Sequence, residues 1–311
     1  MGEHSGAGCG ASSSAKPVAE TETPVVAEPL KLPVPQVGGF LPLSVINSGD
    51  GLAYGLVSDT HLCCKEERLA ELHQQYDLFQ EEGITTVFHA GNICDGYVEK
   101  INGASVFESS IDGQAQYVAD NYPARKGITT YFITGDDHEG WWQKKGFNFG
   151  GYLMYILEKN DRQDLQYIGH VEADVELKHP NGTHTIIKVQ HPGGGSSYSR
   201  SYTGQKQVEA FEGGEKPDIL IQGHYHVSNH MNERNVVVIS MPGFEDQTIF
   251  ARKKRLRMEV GGAILWFKVS PNDGSVTRCS VEFNRYFTRS YYKAYLESDK
   301  KILKGHLVLN S

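Results

Sequence analysis

Five short polar segments, each placed just after an apolar run, constrain this chain more than any other feature. They are Asp59-Thr60-His61, Gly91-Asn92 with Asp95, Asp137-His138-Glu139, His191, and Gly223-His224-Tyr225-His226. The apolar runs read as strands. Open α/β sheets gather their functional groups at the carboxyl ends of strands, so segments far apart in sequence converge in space. One Asp-x-His alone would carry little meaning; the ordered set of five is a strong signal.

The periodicity between the segments agrees with that class. Leu52 to Val57 is a short apolar run that predicts a buried strand. Leu69, Leu72, Tyr76 and Phe79 recur at spacings of three and four, which predicts an amphipathic helix within Lys65 to Glu82, stopped by Gly83. Ile84 to Phe88 and Gly127 to Thr134 read as the next two strands, with an irregular helix between them, and this alternation is the α/β signature. Tyr152 to Lys159 reads as helix. Val171 to Lys178 and Thr183 to Gln190 flank an Asn181-Gly182 hairpin signal. A helix follows over Ser201 to Gly213, then strands at Asp218 to Ile221 and Val236 to Ile239. Ala263 to Val269 and Ser275 to Phe283 read as a closing antiparallel pair; the Tyr-rich tail after Asn284 carries no clear pattern. The sum is one α/β domain of two mixed β-sheets with flanking helices.

Ahead of this pattern, Met1 to about Gln36 is built from Ala, Ser, Pro, Glu and Val and punctuated by proline. Such a composition predicts a disordered or polyproline-like leader. With structure expected to begin near Gly51, the chain divides into a leader of residues 1–49 and a domain of residues 50–311. The net charge of −8 argues against strong non-specific attraction to nucleic acid by the whole-molecule field, and leaves room for a locally basic groove. The 5 cysteines are odd in number and Cys63 and Cys64 are adjacent, which suggests no disulfide framework and fits a reducing, cytoplasmic setting. No apolar run approaches the ~20 residues of a membrane span, and no secretory signal pattern opens the chain.

The five segments carry chemistry as a set. Imidazole and carboxylate ligands suit Mn, Fe, Zn and related ions. Asp59 and His61 are two residues apart and leave a strand end on the same side, so they can grip one ion together. His224 and His226 repeat that geometry. His191 is followed by Pro192-Gly193-Gly194-Gly195, which lets the backbone turn away sharply. Two divalent ions ~3.5–4 Å apart supply what phosphoryl transfer needs: a nucleophile and charge neutralisation.

At these residues, from about Gly51 to Gly243, the chain resembles the calcineurin-like metallophosphoesterase family. That family carries Asp-x-His, Gly-Asp-x-x-Asp, Gly-Asn-His-Asp/Glu, a lone His and Gly-His-x-His in this order. The resemblance implies an αββα sandwich with a dinuclear centre. By position, Asp59, His61 and His226 would hold one ion, and His191, His224 and Asp137 the other. Asn92 would bridge them. His138 would be the leaving-group acid or a phosphate contact. Asp95 and Glu139 would orient ligands from outside. Two positions depart from the pattern: the bridging Asp is Asn92 here, and the family's Asn ligand is Asp137. One carboxylate is lost and one gained. An amide bridges two cations poorly, because one oxygen must serve both. Reduced metal affinity, a bridge by Asp137, or a substitution of an active parent all remain open from sequence.

The resemblance implies hydrolysis of a phosphate ester. Gly96 follows Asp95 where the family's Ser/Thr protein phosphatases carry Arg, which disfavours that branch. Block spacing is closer to the phosphodiesterase and DNA-nuclease branches, including DNA-repair exonucleases and phage phosphoesterases. The expected substrate is a nucleotide or nucleic-acid phosphodiester. Phosphomonoester hydrolysis and a non-catalytic accessory module, kept alive by Asn92, are the alternatives. Outside the five blocks, His89 reads as a packing or supporting residue, and Cys63, Cys64 and Cys94 as structural in the absence of a C-x-x-C pair. Trp141 and Trp142 read equally as a stacking surface or a packed loop. Arg252-Lys253-Lys254-Arg255-Leu256-Arg257 reads as a solvated loop or a phosphate-tracking strip.

Overall fold

Two faces alternate along the second strand, and they explain the layers of the molecule. Leu52, Tyr54 and Leu56 point one way, into a core shared with Val175, Ile187, Val189, Ile219 and Ile221. Val57 faces the other way, against Leu72, Tyr76 and Phe79. A strand buried on both faces belongs in the middle of a sandwich.

The computed structural model describes residues 1–2, 38–45 and 51–286. From Gly38 on, they belong to one compact unit. Its first half runs β1 (Phe40–Ser44), β2 (Leu52–Val57), α1 (Leu69–Glu81), β3 (Thr86–His89), α2 (Glu99–Asn102), α3 (Ile111–Asn121), β4 (Thr129–Thr134), α4 (Gly140–Gln143), α5 (Phe149–Lys159) and β5 (Leu165–His170). The second half runs β6 (Glu172–Lys178), β7 (His184–Gln190), α6 (Tyr202–Ala210), β8 (Ile219–Gln222), β9 (Asn229–Glu233), β10 (Val236–Ser240), α7 (Ile249–Lys254), β11 (Gly261–Val269) and β12 (Val276–Arg285).

Two 6-stranded mixed sheets result, in the orders β12-β11-β2-β3-β4-β5 and β1-β6-β7-β8-β10-β9. In the first, β2, β3, β4 and β5 are parallel, and β11 and β12 close the edge antiparallel. In the second, β7, β8 and β10 are parallel. The sheets pack face to face. Val118, Leu153 and Leu157 from α3 and α5 join α1 on the outside of the first sheet. Val208 of α6 packs on Leu220, Val236 and Val238 outside the second. The architecture is an αββα sandwich. At Gly55 the helix layer comes so close that a Cβ would lie 2.9 Å from the Phe79 ring.

The expected start near Gly51 needs correction. Strand β1 lies upstream of it and pairs in parallel with β6, Phe40 opposite Asp174 through Ser44 opposite Lys178. Pro42 is tolerated there because β1 is an edge strand, where one N–H per pair of residues has no ladder partner to lose. The set of helices also gains α7, which converts the first half of the basic run from a loop into a helix ending in three cations. The Tyr-rich tail after Tyr286, and the leader from Glu3 through Val37, lie outside the described residues.

Candidate metal centre

Strands β2, β3 and β4 deliver the first three segments from one sheet, and β7 and β8 deliver the last two from the other. The strand ends are sewn together by backbone bonds. Asp59 N–H donates to Gly91 O at 2.9 Å, His61 N–H to Asn92 O at 3.0 Å, and Gly223 N–H to Gln190 O at 3.0 Å. Across the sandwich, His224 N–H donates to Asp59 Oδ2 at 2.9 Å. Six segment residues hold left-handed backbone: Asp59 (φ 49), His61 (φ 44), Asn92 (φ 55), His138 (φ 51), His224 (φ 78) and His226 (φ 52). Non-glycine residues there are strained, and such strain collects at functional sites. Gly91 and Gly135 make room for the convergence. A Cβ on Gly91 would lie 2.5 Å from His191 Nδ1, and one on Gly135 would lie 2.2 Å from Asn92 Oδ1.

The side chains form two clusters with metal-ligand spacing, Asp59/His61/His226 and Asp137/His191/His224. Asp59 Oδ1 is the hinge between them. It lies 3.7 Å from His61 Nε2, 3.4 Å from His226 Nε2 and 3.9 Å from His191 Nε2. In the second cluster Asp137 Oδ1 is 3.4 Å from His191 Nε2 and Oδ2 is 3.4 Å from His224 Nδ1.

Surrounding acceptors fix which nitrogen of each ring carries hydrogen. His61 Nδ1–H donates to Asp95 Oδ1 at 2.9 Å, His191 Nδ1–H to Ala90 O at 2.7 Å, and His224 Nε2–H to Gly194 O at 2.7 Å. The opposite nitrogens, His61 Nε2, His191 Nε2 and His224 Nδ1, are turned toward carboxylate oxygens. Asp59 Oδ1, His61 Nε2, Asn92 Oδ1 and His191 Nε2 are all buried with no hydrogen-bond partner. Imidazole nitrogens and carboxylate oxygens converging in a buried site need a positive charge between them, a ring proton or, in its place, a metal ion. The residues therefore fit divalent ions. Burial pushes the Asp137 carboxyl up, but His191 and His224 outweigh it and hold it well below the usual carboxylate range. Asp59 is likewise held low by His226 and His191 against its burial.

The two positions that depart from the family pattern touch each other. Asn92 Nδ2 donates to Asp137 Oδ1 at 3.1 Å. The carboxylate displaced from position 92 thus stands one hydrogen bond away, on the neighbouring strand end.

Asp95 and Glu139 sit behind the clusters in different ways. Asp95 Oδ1 accepts from His61 Nδ1 and lies 2.7 Å from His138 Nδ1, which donates to the Asp95 backbone O at 3.1 Å. Its own second oxygen accepts from Asn102 Nδ2 at 3.0 Å. Glu139 Oε1 accepts from the backbone N–H groups of Asn92 and Gly135, at 3.0 and 2.9 Å. It thus holds the loop, not a ligand ring. Burial raises its carboxyl to about 7. His138 lies edge-on to His61, with ring centroids 4.3 Å apart, and stacks on Trp141 at 4.9 Å. Burial and His61 push its imidazole down, and Asp95 outweighs both, leaving it raised. Trp142 packs into the helix-side core against Phe149.

His89 is buried and bonds Thr60 Oγ1 at 3.1 Å; Thr60 in turn donates to Ile93 O. Cys63, Cys64 and Cys94 are buried and free. Cys64 lies within reach of Asp95 and Glu245, but burial pushes its thiol far up, and Sγ donates to Glu66 and Glu245 carboxylates instead of ligating. The backbone acceptors Ala90 O and Gly194 O were not legible in the sequence, because a carbonyl carries no residue type. Glu245 was also missed; a lone carboxylate in Met241-Pro-Gly-Phe-Glu245 was the available signal. No helix among the described residues is long and apolar enough to cross a membrane.

No protein-family model matches the chain, and no curated protein does so significantly. Solved structures do. An archaeal phosphodiesterase is similar at 15% identity and TM-score 0.38, over 74% of this chain and 99% of that one. Vps29 from Entamoeba histolytica, complexed with zinc, is similar at 12% identity and TM-score 0.34, over 75% and 99%. A hypothetical protein from Pyrococcus horikoshii is similar at 10% identity and TM-score 0.39, over 80% and 93%.

Proposed function

We propose that this protein is a metal-dependent phosphodiesterase acting on a nucleotide or nucleic-acid phosphodiester. The observation that carries the reading is the set of buried polar atoms of Asp59, His61, Asn92 and His191 that lack a hydrogen-bond partner and converge on two adjacent clusters. Asp59, His61 and His226 would hold one ion; Asp137, His191 and His224 the other; Asn92 would lie between them. Bound there, two divalent ions would neutralise the phosphoryl oxygens and make a water acidic enough to attack at neutral pH.

The chain's own part is to hold the scissile group and supply a proton. His138 is anchored through Nδ1 on Asp95, which leaves Nε2 to face the site. A raised imidazole carries a proton near neutral pH and can hand it to the departing oxygen. Asp95 is a positioning residue: one carboxylate sets the angle of a ligand, His61, and of the acid, His138. Trp141 backs the His138 ring and limits its rotation.

Hydrolysis of bis-p-nitrophenyl phosphate and of p-nitrophenyl phosphate, with Mn and Zn added separately, tests the reading. Diester turnover above monoester turnover is expected. Monoester preference would move the assignment to a phosphomonoesterase. Absence of turnover with either ion would favour the accessory-module alternative that Asn92 keeps open.

A further inference from the structure

The stretch from Phe244 to Glu259 leaves the metal centre and returns to it. At one foot, Phe244 N–H donates to Asp59 O at 2.8 Å. At the other, Glu259 N–H donates to His226 O at 2.9 Å. Gly243 N–H closes the base by donating to Glu259 O at 3.0 Å. Both feet therefore stand on residues of one metal cluster. Arg68 pins the outgoing arm through Asp246 at 2.7 Å.

What this excursion carries is out of keeping with the rest of the molecule. In a chain of net charge −8 it gathers Arg252, Lys253, Lys254, Arg255 and Arg257, all exposed. Lys253, Lys254, Arg255 and Arg257 form no ion pair among the described residues. Arg255 holds φ 56 at the end of α7, a left-handed position that favours glycine. Beside the cations, Ile249 and Phe250 are 57% and 59% exposed. The returning arm adds two more cations: Glu259 gathers Arg200 at 2.8 Å and Arg285 at 3.8 Å. The N-cap Thr248 is four residues on from Phe244, so α7 begins at most ~14 Å along the chain from the wall of the centre.

Resting on the phosphodiesterase reading, we propose that the 244–259 excursion is the lobe that holds a single-stranded polynucleotide beside the metal centre. Its cations track the phosphates, and Phe250 offers a face to an unstacked base. Charge complementarity favours a polyanion, since salt-dependent phosphate contacts need clustered Lys and Arg. The exposed aromatic ring favours a single strand, because only unpaired bases present their faces for stacking.

The test is binding of a fluorescein-labelled 20-mer oligothymidylate to the full chain in EDTA, which blocks cleavage, at several salt concentrations. The parent is compared with a Lys253→Ala/Lys254→Ala variant and with Phe250→Ala. The double variant should weaken binding and lower the log–log salt slope by about 1.4, from about 0.7 per lost phosphate contact. Phe250→Ala should weaken binding about fivefold to a hundredfold. Metal content and melting temperature of the same preparations should stay at parental values. Unchanged affinity and slope in both variants overturn the proposal. So does a parent that binds phosphatidylserine vesicles but no oligonucleotide. Parental turnover of a small diester is read separately. If it is present while oligonucleotide binding is absent, only the lobe fails; if it is absent while the variants lose oligonucleotide binding, only the phosphodiesterase reading fails.

Discussion

At the scale of single residues, Asp95 joins the candidate metal centre to His138, the acid we propose. Its carboxylate oxygen is shared by His61 and His138, so metal geometry and acid geometry are set by the same group. His138 groups with His61 and Asp95 and not with the clusters on Asp59/His226 and Asp137/His191. We therefore expect His138→Ala to keep its metal content while turnover falls ~10²–10⁴-fold, the range for a lost general acid. Loss of metal together with activity would make His138 a ligand. Asn92 gives a second prediction. Its amide donates to Asp137 Oδ1 at 3.1 Å, which relieves the carboxylate when no cation is bound. Asn92→Asp replaces that bond by two facing carboxylates. In chelator the variant should melt several degrees below the parent; with excess Mn it should hold the second ion more fully and hydrolyse diester faster. A variant that matches the parent in both conditions, while Asp137→Asn loses the second ion, would assign the bridge to Asp137.

Among the elements, β1 is the one whose importance the composition hid. Phe40-Leu41-Pro42-Leu43-Ser44 follows a proline-rich stretch, and Pro42 counts against a strand unless the strand is at an edge. Leu41, Leu43 and Val45 nevertheless pack against the core between the sheets. A chain starting at Val37 should keep its melting temperature, whereas one starting at Asn47 should lose about 2–4 kcal/mol, from roughly 1 kcal/mol per half-buried side chain. Equal melting of the two truncations would count against β1. Strands β5 and β9 escaped for a related reason. β9, Asn229–Glu233, is a polar edge strand without an apolar face to read. The convergence of the five segments was legible because a metal centre would demand particular residue types at particular strand ends. Their support was not, since Ala90 O and Gly194 O serve through the backbone alone.

For the molecule as a whole, the sandwich buries titratable groups that make stability depend on pH. His89 is the clearest case. Burial lowers its imidazole from 6.5 to about 3. Since Thr60 donates to Ile93 O, His89 Nε2–H donates to Thr60, and Nδ1 is left buried without a partner. A lowered imidazole stays neutral in the fold while the unfolded chain takes up a proton. Stability is thus lost as pH falls through 6.5, by about 1.4 kcal/mol per unit. Measured in chelator between pH 7.5 and 5, His89→Gln should lose less melting temperature than the parent, by a few degrees. Parallel profiles would show that His89 charges freely.

The central claim is that five strand ends build a two-ion centre and that hydrolysis depends on it. Metal content per chain, measured beside diester turnover before and after chelation and reloading with Mn, tests it most directly. Two ions per chain are predicted, with turnover lost on chelation and restored as the second ion returns. A chain that binds no ion, or whose turnover is indifferent to chelation, would contradict the account.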